Sequence, residues 1–251
     1  MRLQLIFSSK EQLVLPINYN NIIQAVILRN LSPKLSDFFH NEGYQFNNRK
    51  FKLYTFSNLY GKNTIKRLQN KNYITILFHD DVTILVSSII PDFTMSLSSS
   101  LLKKGKLTIL NNDYKIKFIK LLPEPKIENS IKIKMLSPIT VYSTYLNQNR
   151  KRTHYYNPTE QDFSSLIEKN LIEKYAAFYG ESMVSTHFSI KPLTPPKKVL
   201  KIYKNFIIES YLGRFLLNGN KKLLRIAYDT GIGAKNSQGF GCFELLHNNI
   251  Y

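Results

Sequence analysis

Ahead of the last apolar run of the chain lies Gly231-Ile-Gly-Ala-Lys-Asn-Ser-Gln-Gly-Phe-Gly241, which combines four glycines with one lysine. Glycines admit positive φ and leave backbone amides uncovered, so such a loop can clamp a polyanion. Its candidate contacts are Gly231, Gly233, Lys235, Asn236, Ser237, Gly239 and Gly241. Two nucleotide signatures fail on it. A Walker loop needs glycine directly before Lys-Ser/Thr and a helix after it, but Ala234 precedes Lys235 and Asn236 follows. A dinucleotide fingerprint needs glycine at position 236 and again a helix, whereas Gly239 to Leu246 reads as a strand. A glycine-rich hairpin or bulge that merely turns the chain fits the same spacing.

Two further stretches set cations beside aromatic rings, the pairing that attracts phosphate and stacks bases. They are Arg49-Lys-Phe-Lys52 and Asn149-Arg-Lys-Arg-Thr-His-Tyr-Tyr156, the second read as an inter-strand loop. Their candidate contacts are Arg49, Lys50, Arg150, Lys151, Arg152 and Tyr155, although charge runs also make ordinary solvated faces. His40, at the end of a predicted helix and shortly before the first run, has the residue type for proton transfer near neutral pH. It equally fits a histidine that covers a helix end. His79-Asp80-Asp81 reads as a hairpin turn rather than a metal site, and a single cysteine, Cys242, excludes an intrachain disulfide and a multi-cysteine zinc site. The expectation is no metal and no cofactor.

Charge narrows the partner. With 35 Lys and Arg against 17 Asp and Glu in 251 residues, the formal charge is +18. That excess is self-repulsion unless a polyanion offsets it, which puts nucleic acid first and an anionic membrane second. The membrane reading needs either an apolar run of about twenty residues or a basic amphipathic helix, and the sequence offers neither. The opening Met1 to Phe7 is too short for a signal peptide, so a cytoplasmic protein is expected.

The elements that must position these residues follow from periodicity. Arg2 to Ser8 alternates as a strand, and Ile22, Ile23, Val26, Ile27 and Leu31 mark one face of a helix. Ser32 and Pro33 open a second, short helix that runs to Gly43 with Leu35, Phe38 and Phe39 on a buried stripe. Strands are expected at Phe51–Ser57, across Tyr73–Val86 with a turn at Asp80-Asp81, at Lys106–Leu110 and at Tyr114–Lys120, with a helix from Asp92 to Lys103. Leu122-Pro123-Glu124-Pro125 reads as a linker. The second half repeats the plan: strands at Ile131–Met135, Ile139–Ser143, Val184–Lys191 and Leu200–Ser210, a long helix from Thr159 to Phe178 capped by Thr159, and a helix from Gly219 to Thr230. The order matches an α+β chain of two tandem ferredoxin-like domains, 1–122 and 126–251.

The sequence resembles the CRISPR-associated endoribonucleases of the RAMP superfamily that process precursor CRISPR RNA, the Cas six family. The resemblance rests on the glycine loop, the preceding Leu223-Leu-Arg-Ile-Ala-Tyr-Asp229, the opening Leu15-Pro16 and Gln24-Ala-Val-Ile27, Ser32-Pro-Lys-Leu35 with His40, and Lys52-Leu-Tyr-Thr-Phe-Ser57. It implies metal-independent cleavage within the CRISPR repeat by a ribose 2′-hydroxyl, leaving a 2′,3′-cyclic phosphate and a 5′-hydroxyl. It places the catalytic histidine at His40 and a catalytic lysine at Lys52. The family's tyrosine in the first helix falls on Leu28, with Tyr44 or Tyr19 as candidate replacements. Repeat RNA is the implied partner; interference-complex subunits and a homodimer are further candidates. A non-catalytic RNA-binding RAMP subunit would share the fold, the charge and the loop.

Overall fold

The computed structural model describes residues 1–8, 12–67, 74–148, 150–181, 183, 187–203 and 206–246. The expectations placed on Tyr73, Asn149, Val184–Thr186, Lys204 and Asn205 lie outside these residues.

The first half runs β1 (Arg2–Ser8), β2 (Leu13–Pro16), α1 (Asn20–Arg29), α2 (Pro33–Asp37), a π-helical turn (Phe38–Glu42), β3 (Tyr44–Phe46), β4 (Arg49–Phe51), β5 (Tyr54–Phe56), β6 (Asn63–Arg67), β7 (Ile74–Phe78), β8 (Val82–Ser88), α3 (Pro91–Lys104), β9 (Lys106–Ile109) and β10 (Asn112–Leu122). Its main antiparallel sheet has the order β5-β8-β1-β10-β9. Alternation puts Leu3, Leu5 and Phe7 of β1 into a core that they share with Ile23, Val26 and Ile27 of α1 and Phe93, Leu97 and Leu101 of α3.

The second half runs β11 (Ser130–Met135), β12 (Tyr142–Asn147), β13 (Arg150–Tyr155), α4 (Asp162–Tyr179), β14 (Ser189–Pro192), β15 (Lys197–Tyr203), β16 (Phe206–Leu212), β17 (Arg214–Asn218), α5 (Lys221–Thr230) and β18 (Phe243–Leu245). Its sheet order, β14-β17-β11-β18, repeats the permutation β5-β8-β1-β10 of the first. Strand, helix, two strands, helix, strand in that order is the ferredoxin-like plan, here present twice. A second core gathers Ile131 and Ile133 with Ile167 and Leu171 of α4 and Leu223 and Leu224 of α5.

Several local expectations are corrected. The basic run is not a loop: Arg150 to Tyr155 is β13, paired with β12 in a two-stranded hairpin. Leu200 to Ser210 is not one strand but part of the hairpin β15–β16, whose register pairs Tyr203 with Phe206. Ile139 makes an isolated bridge to Tyr211, and a strand begins only at Tyr142. Helix α4 starts at Asp162 and Thr159 is not its cap, because Asn157 Oδ1 takes both the Thr159 backbone N–H and its hydroxyl, a local turn that competes with capping. Ser32 flanks α2 as expected but makes no side-chain cap bond.

The modules are joined through polar groups that the sequence does not advertise. Arg2 is 3% exposed; it donates to the carbonyls of Phe243 and Tyr228, both at 2.7 Å, and lies over the Tyr228 ring. The amino terminus meets Asp229, and the Thr55 hydroxyl donates to the Phe240 carbonyl. A buried guanidinium with two carbonyl partners is expensive to leave unpaired, so these contacts fix how the modules sit.

Candidate nucleic-acid interface

His40 owes its position to a neighbour. Phe39 is 2% exposed and packs edge-on against Phe93 and Tyr54, so the next residue on the turn faces outward. The wide π turn closes through the Gly43 N–H on the Phe38 carbonyl, and Gly43 adopts φ +78°. A Cβ there would come within 2.7 Å of the Phe51 carbonyl oxygen, so this position requires glycine. The hairpin β3–β4 then returns the chain and sets Lys52 beside the turn, where Nζ donates to the His40 carbonyl at 3.1 Å. Burial holds the Lys52 ammonium below its usual range, Lys50 adds to the effect, and Glu42 opposes it. At the ring itself, His40 Nδ1 lies 2.7 Å from Asn41 Oδ1, while Asn41 Nδ2 donates to Asp37 at 2.6 Å. That second bond points the amide oxygen of Asn41 at the ring, which makes Nδ1 the protonated nitrogen and leaves Nε2 for a substrate.

His40 and Lys52 line an open groove of about 620 Å³ between the modules. Helix α1 supplies Gln24 and Leu28, the glycine loop supplies Lys235, Ser237 and Gln238, and the β15–β16 hairpin supplies Tyr203, Phe206 and Ile208. An adjoining groove of about 380 Å³ shares Lys52 and Lys235 and adds Arg49, Lys50, Lys174 and Tyr142. The two hollows therefore adjoin at Lys52, Lys235, Ser237 and Gln238.

The glycines of the loop do not line the grooves. Gly231, Gly233, Gly239 and Gly241 are all buried. The N–H groups of Ile232, Ala234 and Gly241 donate to the carbonyls of Gly241, Thr140 and Pro138. A Cβ on Gly239 would strike Phe56, and one on Gly241 would lie 2.0 Å from the Ile232 carbonyl oxygen. Positive φ and close approach demand glycine here, and the close partner is the protein itself: Gly231 and Gly239 abut Thr55 and Phe56 of the first module, whereas Gly233 and Gly241 abut Thr140 and Ile232 of their own. Asn236 is likewise internal: its Nδ2 donates to Ile232 and Phe240, and its Oδ1 accepts from Lys174 Nζ at 2.7 Å. Lys235 and Ser237 line both grooves, and Lys235 Nζ lies over the Tyr142 ring.

The remaining candidates divide. Arg49 and Lys50 line the second groove, Arg49 also pairing with Glu173. Arg150, Lys151 and Arg152 are exposed on β13 and line neither groove. Tyr155 is half-buried against Tyr142 and the cluster of Tyr203, Ile208 and Phe240, so its ring serves as packing. Tyr19 is sealed in the core; its hydroxyl accepts the Leu59 N–H, and burial pushes it up to about 12. Tyr44 is wedged between Phe38 and Phe178 and lines neither groove. Neither tyrosine stands where Leu28 does. His79 is held at its two ring nitrogens by Gln12 and Thr64.

Sequence reasoning missed Lys174, Gln24 and Tyr203. Lys174 is 3% exposed and donates to the Gly231 carbonyl and to Asn236, both at 2.7 Å; burial pushes it down to about 7, with Arg49 adding repulsion. A signal was available, since Asn170 and Lys174 interrupt the apolar stripe Phe163, Ile167, Leu171 of α4. Nothing local in the sequence marks Gln24 and Tyr203, which meet when the Tyr203 hydroxyl donates to Gln24 Oε1.

Two ferredoxin-like modules bridged by a buried glycine loop, with a cationic groove at their junction, define a protein built to hold a polyanionic chain. Comparison with known proteins makes the class specific. Residues 14–120 match the family described as CRISPR-associated protein Cas6, N-terminal, and residues 122–245 match CRISPR associated protein Cas6, C-terminal, so the chain belongs to the Cas6 family. It is 28% identical over 244 residues to the CRISPR-associated endoribonuclease Cas6 1 of Methanocaldococcus jannaschii, covering 96% of this chain and 91% of that protein. The solved structure of the product of a Cas6-related gene from Pyrococcus furiosus superposes with a TM-score of 0.83 at 20% identity, covering 99% of both chains. A solved RAMP protein that binds different RNA substrates superposes with a TM-score of 0.81 at 23% identity, covering 98% of this chain and 100% of that one. Among the described residues no helix is long and apolar enough to cross a membrane.

Proposed function

We propose that this protein is a site-specific endoribonuclease that cuts precursor CRISPR RNA within its repeats to release guide RNAs. The observation that carries the proposal is the meeting of His40 and Lys52 from one module with Lys235 from the other on a single groove. Family membership and the endoribonuclease relative support the reading.

The chemistry requires little beyond these groups. A ribose 2′-oxygen attacks the adjacent phosphorus, the 5′-oxygen leaves, and the products are a 2′,3′-cyclic phosphate and a 5′-hydroxyl. His40 Nε2 exchanges a proton with the attacking or the leaving oxygen, and the Asp37–Asn41 chain holds the ring in the tautomer that exposes Nε2. Lys52 and Lys235 face the non-bridging oxygens, where charge accumulates in the phosphorane. An arriving phosphate opposes the burial and the Lys50 repulsion that depress Lys52, so substrate strengthens the hold of this group on its proton. No step calls for a metal ion. The three cations of β13 on the exposed hairpin would extend the electrostatic footprint along the RNA.

The test is cleavage of a repeat RNA carrying a 2′-deoxy residue immediately before the cut. Cleavage should stop at that site and continue in excess chelator on the all-ribose strand. Scission of the deoxy-substituted strand would remove the 2′-hydroxyl mechanism, and absence of any cutting would leave an RNA-binding protein without enzymatic function.

A further inference from the structure

The groove beside His40 is lined by two unlike kinds of side chain. His40, Lys52 and Lys235 suit a phosphate, whereas Leu28 of α1 and Phe206 and Ile208 of the β15–β16 hairpin are apolar, and of these three only Phe206 stands exposed. Phe206 is 73% exposed, the highest figure for a large hydrophobic side chain among the described residues. Leaving that much aromatic surface in water has a cost unless something covers it. Its cross-strand partner Tyr203 is 9% exposed and anchored through its hydroxyl on Gln24, so the platform beneath Phe206 is fixed.

We propose that the hairpin side of this groove is a nucleobase pocket, in which one unpaired base flanking the scissile phosphate stacks on Phe206. This rests on the endoribonuclease reading, which puts a phosphate against His40, Lys52 and Lys235. A phosphate and the base of its own nucleotide lie on opposite sides of the ribose, so a groove that offers both cations and an open aromatic ring suits both parts of one nucleotide. Gln238, at the same groove, supports the assignment. Its Oε1 is buried and has no hydrogen-bond partner within the protein, so turning the amide toward a base amino group gains a bond without breaking one. The pocket fixes which base stands beside the cut by stacking and one amide contact, without reading a paired stem.

The experiment is a double-mutant cycle on affinity, using a repeat RNA made uncleavable by a 2′-deoxy residue before the cut. Wild type, Phe206→Ala and Phe206→Trp are each measured against the intact strand and against strands with an abasic residue on either side of the cut. Base stacking on an aromatic ring predicts that Phe206→Ala weakens binding of the intact strand about 10–100-fold. One of the abasic strands should weaken wild type comparably, the two losses should not add, and Phe206→Trp should bind like wild type. Additive losses, or an unchanged affinity in Phe206→Ala, would overturn the pocket. Cleavage of the all-ribose strand by wild type reports separately on the endoribonuclease reading, since the affinity cycle does not need turnover.

Discussion

The turn that bears His40 and the glycine loop face one another across the same groove, yet they are constructed in opposite ways. The turn is an exposed π-helical segment held by one buried ring, Phe39, and one glycine, with His40 bonded to Asn41 and Asn41 to Asp37 at the end of α2. The loop is buried, its glycines pressed against Phe56, Asn236 and Ile232, and a lysine from α4 is spent on holding its carbonyls. A reacting group needs access and little else, whereas the frame that aims two modules at one substrate must not move. Substitutions in the turn should therefore cost rate and spare stability, and those in the loop should do the reverse.

The largest separation is expected for His40→Ala, which should lower the cleavage rate about 10²–10⁴-fold while RNA affinity holds and the melting temperature moves by less than about 2 °C. Single-turnover cleavage with parallel thermal scans checks it; full activity in the variant ends the assignment of His40. Gly241→Ala should act the other way, placing a Cβ against the Ile232 carbonyl at φ +76° and costing about 3 kcal/mol, or about 6–12 °C of melting temperature. A melting curve like that of wild type would mean the loop yields more readily than its contacts imply.

Lys174→Met comes next, at about 1–3 kcal/mol, because the Gly231 carbonyl and Asn236 Oδ1 lose their donor. This position also has a pH signature. The unfolded lysine keeps its proton up to its ordinary value of 10.5, the folded one releases it near 7, and so the unfolded state binds more protons between those limits. Stability should thus rise with pH from about 7 to 10.5, and that slope should vanish in Lys174→Met. Denaturant midpoints at the two ends of the window measure it. The smallest effect belongs to Asn41→Ala, about a threefold to tenfold loss of rate with a displaced pH–rate profile and unchanged melting, since the ring loses its tautomer guide but stays in the groove. An identical pH–rate profile would reduce Asn41 to a bystander.

Much of the fold is legible locally. Alternation in Leu3, Leu5 and Phe7, the helical stripe Ile23, Val26 and Ile27, and Gly180 just past α4 in a left-handed conformation are each written within a few residues. The errors share one cause. A hairpin such as β15–β16, a basic strand such as β13, and the unused cap at Thr159 all depend on which partner competes for the same backbone groups, and no window of single-chain pattern contains that partner. The glycine loop was conspicuous for the right physical reason, positive φ and close approach, while the identity of what approaches it was hidden.

By itself, the sequence determined two modules of one plan, a strong positive charge, and a histidine followed shortly by a cationic run that includes Lys52, because these follow from periodicity, composition and proximity along the chain. Only the tertiary structure decided that Lys235 crosses over to them, that Lys174 is buried under the loop, that Tyr19 is sealed in the core and Tyr44 lies off the grooves, and that Phe206 stands open at the groove. Those outcomes come from contacts between residues far apart in the chain, where the packing of two cores and the pairing of buried polar groups override what any local segment prefers.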